Sequence, residues 1–385
     1  MERAALSQLV RATGCAEERD GCVFLCDPRW GASERAAATA AQQAGRGRAG
    51  APPAEGWLCL PTGGTSGGVR FARHDERTLT AAVVGFCAHF GLARVNAVDV
   101  LPPHHVSGLM ARVRCAATGG AHVAWEWKEL AAGRWPERPG GGWVISLVPT
   151  QLQRLVAVPA AVDWLRGFEV ILVGGGPVWP ELADAAARVR LPVALSYGLT
   201  ETAAMVTALR PEEFLAGGRS SGGALPHARV TLTAEGGVQV AGESVFRGYY
   251  PDVSSSRELA TEDLGTLDAQ GRLHVLGRRD AVIITGGKKV LPAEVEAALR
   301  ASGEFGDVAV VGPPDADWGQ VVVACYPAGG RAPDEARTAA ALAGLAAYKR
   351  PKRWVAVADW PRNAQGKLNR AALAAGLPPP AVSRR

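Results

Sequence analysis

From residue 57 onward, apolar positions fall into short unbroken runs separated by stretches in which they recur every three or four residues. An unbroken run of four to eight reads as a buried strand, and the three-to-four period as an amphipathic helix. TLTAAVVGFCAHFGL therefore reads as a helix, AVDVLPP as a strand with its exit, and WVISLVPTQLQRL as a strand running into a helix. The clearest unit is FEVILVGGGPVWPELADAAARVRLPVALSYGLTETAAM. It predicts a strand at Val170 to Val173, a triple-glycine turn, a helix from about Trp179 to Arg188 and a second strand at Val193 to Ser196. Such alternation builds an α/β fold with a parallel sheet flanked by helices, whose ligands gather at the carboxyl ends of the strands.

Both ends of the chain depart from this texture. The first fifty residues are Ala- and Arg-rich and close on QQAGRGRAGAPPAEG, which predicts a loosely held approach to the core, with order beginning near Trp57. After residue 275, GRRDAVIITGGKKVLPAEVEAALRASGEFGDVAVVGPPDADWGQVVVACYPAGG predicts a hairpin-like start, a helix from near Pro292 and two further strands, followed by an Ala-rich helix and a basic tail. About a hundred residues of α+β character suffice for a domain. The expected division is a reduced N-terminal segment over 1–56, a larger domain over 57–279 and a small one over 280–385. No repeat of fixed period is visible.

Composition narrows the functional classes. The 385 residues, 48% hydrophobic and 21% charged, suit an ordinary soluble globular protein. The formal charge of +5 is spread along the chain, with neither a run of five like charges nor a basic stripe interleaved with aromatics. That argues against a nucleic-acid partner and is compatible with a small anionic substrate. The N-terminus carries charges within its first few residues and no long apolar segment, so neither a secretory signal nor a membrane span is expected, and the expected location is cytoplasmic. Seven cysteines without a CxxC pair argue against a disulfide framework or structural zinc and read as small buried residues. A homodimer is compatible with all of this.

Four segments carry candidate chemistry. In LPTGGTSGGVR, Thr62, Thr65 and Ser66 offer hydroxyls, while Gly63, Gly64, Gly67 and Gly68 allow backbone amides to converge on a phosphate. A flexible turn between strands explains the same glycines. Val69-Arg70 stands where a Walker-type loop needs Lys-Ser/Thr, which excludes the usual P-loop. SYGLTETAAM places Glu201 between Thr200 and Thr202, a carboxylate suited to a magnesium ion carrying ATP phosphates, and Tyr197 offers a ring for a base. Asp263 and Arg278 are an acid and a cation suited to ribose hydroxyls. PRNAQGKLNR sets Lys367 in a polar turn, where its ammonium can reach a developing anion. Each has a plainer reading: Glu201 as a helix N-terminal acid, Asp263 as a turn residue, Lys367 as surface charge.

Together and in this order, the four segments resemble the adenylate-forming superfamily of acyl-CoA synthetases, luciferases and the adenylation domains of peptide synthetases. TGGTSGGVR stands for the family's T-S-G-T-T-G-x-P-K loop and SYGLTET for its Y-G-x-T-E segment. GRRDAVIITGGKKVLPAEVE stands for G-R-x-D-x-I-x-x-G-G-x-x-V-x-P-x-E-V-E, and PRNAQGKLNR for P-R-T-x-x-G-K-x-x-R. The resemblance runs from about Trp57 to Leu373. It implies a large N-terminal domain of mixed and parallel sheets flanked by helices, and a small α+β C-terminal domain hinged at Asp280. Two features depart from the pattern: Val69-Arg70 replaces Pro-Lys, and the loop arrives at residue 62, which implies that much of the usual N-terminal subdomain is missing. Within the superfamily, LPPHHVSGLMARVRCAATGGAHV and ISLVPTQLQRLV resemble o-succinylbenzoate–CoA ligases of menaquinone and phylloquinone synthesis, compact members included. His105 matches the histidine of P-L-x-H-x-x-G beside the acyl pocket.

The resemblance implies two half-reactions, with ATP, Mg2+ and coenzyme A as cosubstrates and cofactor and a small aromatic carboxylic acid as substrate. The acid attacks the α-phosphate to give acyl-adenylate and diphosphate, and the CoA thiol then displaces AMP. By the same resemblance Lys367 stabilises charge, Glu201 holds magnesium, and Thr62 to Gly67 with Arg70 hold phosphates. Gly174, Gly175, Gly176, Ser196, Tyr197, Gly198 and the Asp263/Arg278 pair hold the nucleoside, while Thr200 and His105 complete the catalytic set. Gly286, Gly287 and Lys288 line the CoA channel once the small domain swings about Asp280. Two rivals stay open: a CoA or carrier-protein ligase for another acid, and a non-catalytic nucleotide-binding protein of the same fold.

Overall fold

The computed structural model describes residues 1–45, 55–63, 68–329, 333–361 and 368–378. These fall into two compact units. The larger holds Met1–Thr62, Gly68–Thr261 and Gly265–Val275, and the smaller holds Leu276 onward together with Glu262–Leu264.

The larger unit opens with α1 (Arg3–Arg11), the hairpin β1 (Ala16–Arg19) and β2 (Cys22–Leu25), and α2 (Ala32–Gln43). With β3 (Leu58–Gly63) and β4 (Val69–His74) the hairpin forms a four-stranded sheet in the order β1-β2-β3-β4, in which β2 and β3 run parallel. This corrects the expectation of a loosely held start with order beginning near Trp57. Leu6 and Val10, one helical turn apart, are fully buried and share a core with Val23, Leu25, Trp57 and Leu58. An apolar pair four residues apart is enough to seat a short helix on a sheet, and the surrounding Ala and Arg residues hide that signal.

Next comes α3 (Glu76–Phe90), started by Asp75, whose carboxylate accepts from the amides of Arg77 and Thr78. The central sheet then assembles from β5 (Asn96–Asp99), β6 (His122–Ala124), β7 (Trp143–Leu147), β8 (Val170–Val173), β9 (Val193–Leu199), β10 (Ala204–Ala208) and β11 (Gly223–Ala224), with α4 (Val106–Thr118) between β5 and β6. Its order is β11-β10-β9-β8-β7-β5-β6; β5 to β9 run parallel, while β10 and β11 are antiparallel to their neighbours. Alternate residues of one strand face opposite sides. Ile145, Ile171, Val173 and Leu195 pack against Leu152, Leu182 and Ala186, and the intervening Val144, Val170, Leu172 and Ala194 pack with Phe86 of α3. Burial on both faces is why these strands read as continuous apolar runs. A third sheet joins β12 (Ala228–Leu232), β13 (Gly237–Gly242), β14 (Glu258–Leu267) and β15 (Leu273–Arg278) in sequence order.

The smaller unit begins with the antiparallel hairpin β16 (Ile283–Thr285) and β17 (Lys288–Val290), followed by a helix over Pro292–Ala301, as the sequence predicts. The hairpin continues into a sheet with β19 (Pro314–Asp315) and β20 (Gly319–Gln320). A second sheet joins β18 (Ala309–Val311), β21 (Val323–Pro327) and β22 (Arg353–Val357). Ile283, Val290, Val295, Leu299, Val310 and Val322 form its core. Cys22, Cys26, Cys59, Cys115 and Cys325 are buried, and Cys15 and Cys87 half-buried. No described helix is long and apolar enough to cross a membrane.

Candidate active site

The polypeptide turns sharply at the carboxyl end of β9. The strand reaches Leu199, so Ser196, Tyr197 and Gly198 are strand residues, three positions beyond the Ser196 limit the sequence suggests. Thr200–Thr202 then make one turn of 3-10 helix, and Ala203 and Ala204, the second being the first residue of antiparallel β10, follow with φ of +52° and +80°. Left-handed alanines are strained, and such strain survives only where surroundings hold it. Gly198 is required by this geometry, because a Cβ there would stand 2.0 Å from the Ala204 carbonyl oxygen.

The turn presents Glu201, which is 8% exposed. Its Oε1 accepts from the Thr62 hydroxyl at 3.2 Å and from the Tyr249 hydroxyl at 2.7 Å. Thr62, at the end of β3, and Glu201 thus meet across 139 residues of chain. The Arg70 guanidinium lies 4.1 Å from the centre of the Tyr249 ring, so Thr62, Arg70, Tyr249 and Glu201 form one cluster. Gly174 to Gly176 follow β8 beside Ser196, whose hydroxyl donates to the Val173 carbonyl at 3.3 Å. A Cβ on Gly174 would come within 2.8 Å of that hydroxyl. Tyr197 is buried, packed with Ala72, Val206 and Val238, and its hydroxyl is 3.5 Å from that of Thr261.

His105 occupies the residue before α4, its ring 4.7 Å from that of His104. The next residue, Val106, packs on the core cluster to which Ala203 and Ala204 also belong. His104 is buried with Nε2 at 3.1 Å from Asp27 Oδ2, and Asp27 also takes three hydrogen bonds from Arg29. Burial pushes the His104 pKa down in spite of that carboxylate.

In the smaller unit Arg278 grips Asp280 with two parallel hydrogen bonds of 2.9 and 2.8 Å, and its third nitrogen is 3.9 Å from Asp263. The candidate ribose pair and the candidate hinge are therefore a single cluster. Gly286 and Gly287, with φ of +54° and +73°, make the two-residue turn between β16 and β17, and the Lys288 ammonium lies 4.7 Å from the Tyr348 ring. Gly64, Thr65, Ser66, Gly67 and Lys367 lie outside the described residues, as does the side-chain environment of Gly63.

Residues 3–250 match the family of AMP-binding enzymes, and residues 294–367 match the AMP-binding enzyme C-terminal domain. The chain belongs to the AMP-binding enzymes. It is 31% identical over 328 residues to the 2-succinylbenzoate–CoA ligase of Enterococcus faecalis, covering 80% of this chain and 67% of that protein. To the ligase of the same name from Geobacillus kaustophilus it is 32% identical over 338 residues, covering 82% and 68%. Among solved structures, it is similar to the o-succinylbenzoate coenzyme A synthetase of Bacillus subtilis. The complex with the acyl-adenylate intermediate aligns with a TM-score of 0.73 at 27% identity, covering 83% of this chain and 69% of that one. The complex with ATP and magnesium ion aligns at 0.71 and 27%, covering 83% and 70%. The chain thus spans about two thirds of the length of these relatives.

The donor set of this AMP-binding enzyme suits a magnesium ion that arrives on phosphates. Among the described residues no cluster of three His, Cys, Asp or Glu could cage a metal. Both hydrogen bonds to Glu201 land on Oε1, so among the described residues Oε2 accepts none. Magnesium usually takes one or two carboxylates plus substrate phosphates, and one free carboxylate oxygen fits that habit. Sequence reasoning missed Tyr249, His74, Asp75, Arg247 and Asp27. A fragment such as RHDERT signals only a helix start, since an acid followed by a threonine three residues on is a capping pattern. Nothing local marks the long-range partners.

Proposed function

We propose that this AMP-binding enzyme is an ATP-dependent acid–thiol ligase. It activates 2-succinylbenzoate as the acyl-adenylate and transfers the acyl group to coenzyme A, giving 2-succinylbenzoyl-CoA, AMP and diphosphate, a step of menaquinone synthesis. The reading is carried by Glu201, whose Oε1 is held by Thr62 and Tyr249 while Oε2 accepts from none of the described residues, in a chain of this family. The names of its relatives and the acyl-adenylate in one structural neighbour support the substrate.

In the first step a carboxylate oxygen of the acid bonds to the α-phosphorus of ATP, and the bond from that phosphorus to the bridging oxygen breaks, so diphosphate leaves. Thr62 and the glycine loop orient the phosphates, and Arg70 adds positive charge beside them. Glu201 would hold the magnesium ion, which would neutralise phosphate charge when bound. The Gly174–Gly176 turn and β9 border the nucleoside: without side chains the turn allows close approach. Arg278 and Asp263 take the ribose hydroxyls, and Lys367 stabilises charge on the reacting oxygens. In the second step the CoA sulfur bonds to the acyl carbon and the carbon–oxygen bond to AMP breaks. The adenylate is already activated, so no strong base is needed. Gly286, Gly287 and Lys288 border the thiol's path, with Asp280 as pivot. His105, at the start of α4, lies beside the acid. The location proposed is the cytoplasm, where ATP and coenzyme A are both available.

The test is incubation of the purified protein with MgATP, coenzyme A and 2-succinylbenzoate, following AMP and thioester by mass, with benzoate, a fatty acid and no acid as controls. Thioester formed with 2-succinylbenzoate and not with the controls supports the assignment. Turnover of a different acid keeps the ligase class and removes this substrate. No AMP with any acid favours a nucleotide-binding protein without catalysis.

A further inference from the structure

The Thr200–Thr202 turn leads into two left-handed alanines, Ala203 and Ala204, and carries the Glu201 carboxylate. Within the turn the Ala203 amide donates to the Thr200 carbonyl at 3.3 Å and the Thr202 hydroxyl to the Ala204 carbonyl at 2.7 Å, and two partners from outside tether its backbone. The Phe246 amide donates to the Glu201 carbonyl at 2.8 Å, and His74 Nε2 lies 2.8 Å from the Thr200 carbonyl oxygen. A carbonyl only accepts, so Nε2 carries the proton. His74 is fully buried at the end of β4, and its Nδ1 lies 3.1 Å from the Thr78 hydroxyl at the start of α3. The ring is thus fixed at both nitrogens and bridges a strand, a helix start and the turn. Burial pushes its pKa down to about 4, so the ring is neutral at pH 7 and donates without adding charge beside the carboxylate.

We propose that His74 is a positioning residue for nucleotide binding, its Nε2–H holding the Thr200 carbonyl so that Glu201 presents Oε2 to the metal–phosphate group of MgATP. The inference rests on the adenylating reading above. It makes His74 a positioning residue and not a catalytic one, because it acts through the Thr200 carbonyl. Without the tether, the Thr200 carbonyl keeps only the Ala203 amide at 3.3 Å among the described residues, and the adjoining Glu201 is held less firmly. A nucleotide lacking the metal–phosphate group does not use Glu201 and is insensitive to the tether.

The closing experiment compares His74→Gln, His74→Asn and His74→Leu by calorimetric binding of MgATP and, separately, of AMP without metal. A Gln amide reaches the Nε2 position and can donate to the carbonyl, whereas an Asn amide reaches only the Nδ1 position. We expect about a tenfold or larger loss of MgATP affinity in His74→Asn and His74→Leu, recovery to within about threefold in His74→Gln, and AMP affinity within about twofold throughout. Equal weakening of MgATP and AMP, equal behaviour of the Gln and Asn variants, or unaltered MgATP binding in all three overturns the proposal. If His74→Leu does not fold, the Gln and Asn pair decides. A wild-type protein that binds neither nucleotide overturns the adenylating reading and this inference together, whereas wild-type binding with insensitive variants removes the inference alone.

Discussion

Arg247 and Asp75 form an ion pair of 2.8 Å in which the side chains are only 2% and 1% exposed. One carboxylate serves several structures: Oδ1 caps α3, and Oδ2 accepts from Arg247 and from the Gly56 amide. The backbone around Arg247 pairs with β4, through Arg247 N to the Arg73 carbonyl and Arg73 N to the Gly248 carbonyl. The segment carrying Tyr249 is thereby clamped to the strand carrying Arg70 and His74. Removing one partner of such a pair strands the other charge, at a cost of about 3–5 kcal/mol. Arg247→Met should lose that much in urea unfolding at pH 7. Burial by itself would raise the Asp75 pKa, but the hydrogen bonds from Arg247, Thr78 and Gly56 outweigh it and hold the carboxyl below its usual range. A depressed carboxyl pKa adds stability above the unfolded value near 4, lost as pH falls through the folded one, so the gap between wild type and variant should narrow below pH ~4.

Glu201 and Tyr249 separate chemistry from stability. Glu201→Gln should lower the rate of adenylate formation roughly 100-fold while leaving the thermal midpoint unchanged, measured by ATP–diphosphate exchange and by thermal melting. Tyr249→Phe removes a hydrogen bond to a charged group, a contribution of about 1.5 kcal/mol, so KM for MgATP should rise about tenfold with KM for the acid unchanged.

Gly198→Ala tests the close approach of β9 to the strained turn. The obstacle to its Cβ is the backbone oxygen of Ala204 at 2.0 Å, not a movable side chain. A loss of about 2 kcal/mol or more is expected, together with weakened MgATP binding. A variant as stable as wild type in chemical denaturation contradicts it.

Acid should weaken the fold before it reaches the carboxylates. Burial pushes the pKa values of His74 and His227 down to about 4 each. Between pH ~6.5 and ~4 the unfolded chain takes up protons that the folded one refuses, so stability falls as pH falls, by up to about 3 kcal/mol per histidine. Urea midpoints at a series of pH values read this directly, and His227→Gln should flatten the profile. A profile unchanged by the substitution excludes His227 as a contributor.

Asp27 and His104 test whether the N-terminal hairpin region reaches the acid site. Asp27→Asn leaves His104 Nε2 without its carboxylate partner, next to the ring of His105. KM for the acid should rise roughly threefold to tenfold with KM for MgATP unchanged, as initial rates at saturating cosubstrate will show. An equal rise in both constants would mark a general structural role.

The parallel sheet was legible because β7, β8 and the start of β9 are buried on both faces and so read as apolar runs, and the helix at Pro292 because proline favours a first helical turn. Thr200, Glu201 and the glycines stand out in the sequence because they lie together in short segments whose residue types suit phosphate and metal chemistry. The N-terminal helix was not, since Leu6 and Val10 are a single apolar pair among Ala and Arg. Nor were His74, Asp75 and Arg247: a histidine, an acid and an arginine are common surface residues, and their significance is that they are buried.

By itself, then, the sequence determined the strands and helices of the parallel sheet and the helix at Pro292, the order of the motifs and which residue types suit phosphates. Those follow from local periodicity and side-chain chemistry, which neighbours in the chain already specify. The tertiary structure decided that Thr62 and Tyr249 both donate to one oxygen of Glu201, that His74 holds the adjoining carbonyl and that Asp75 keeps its charge against Arg247. These contacts join residues from 48 to 172 positions apart. Hydrogen-bond geometry and burial act through space, and only packing brings such partners within 3 Å or so of each other.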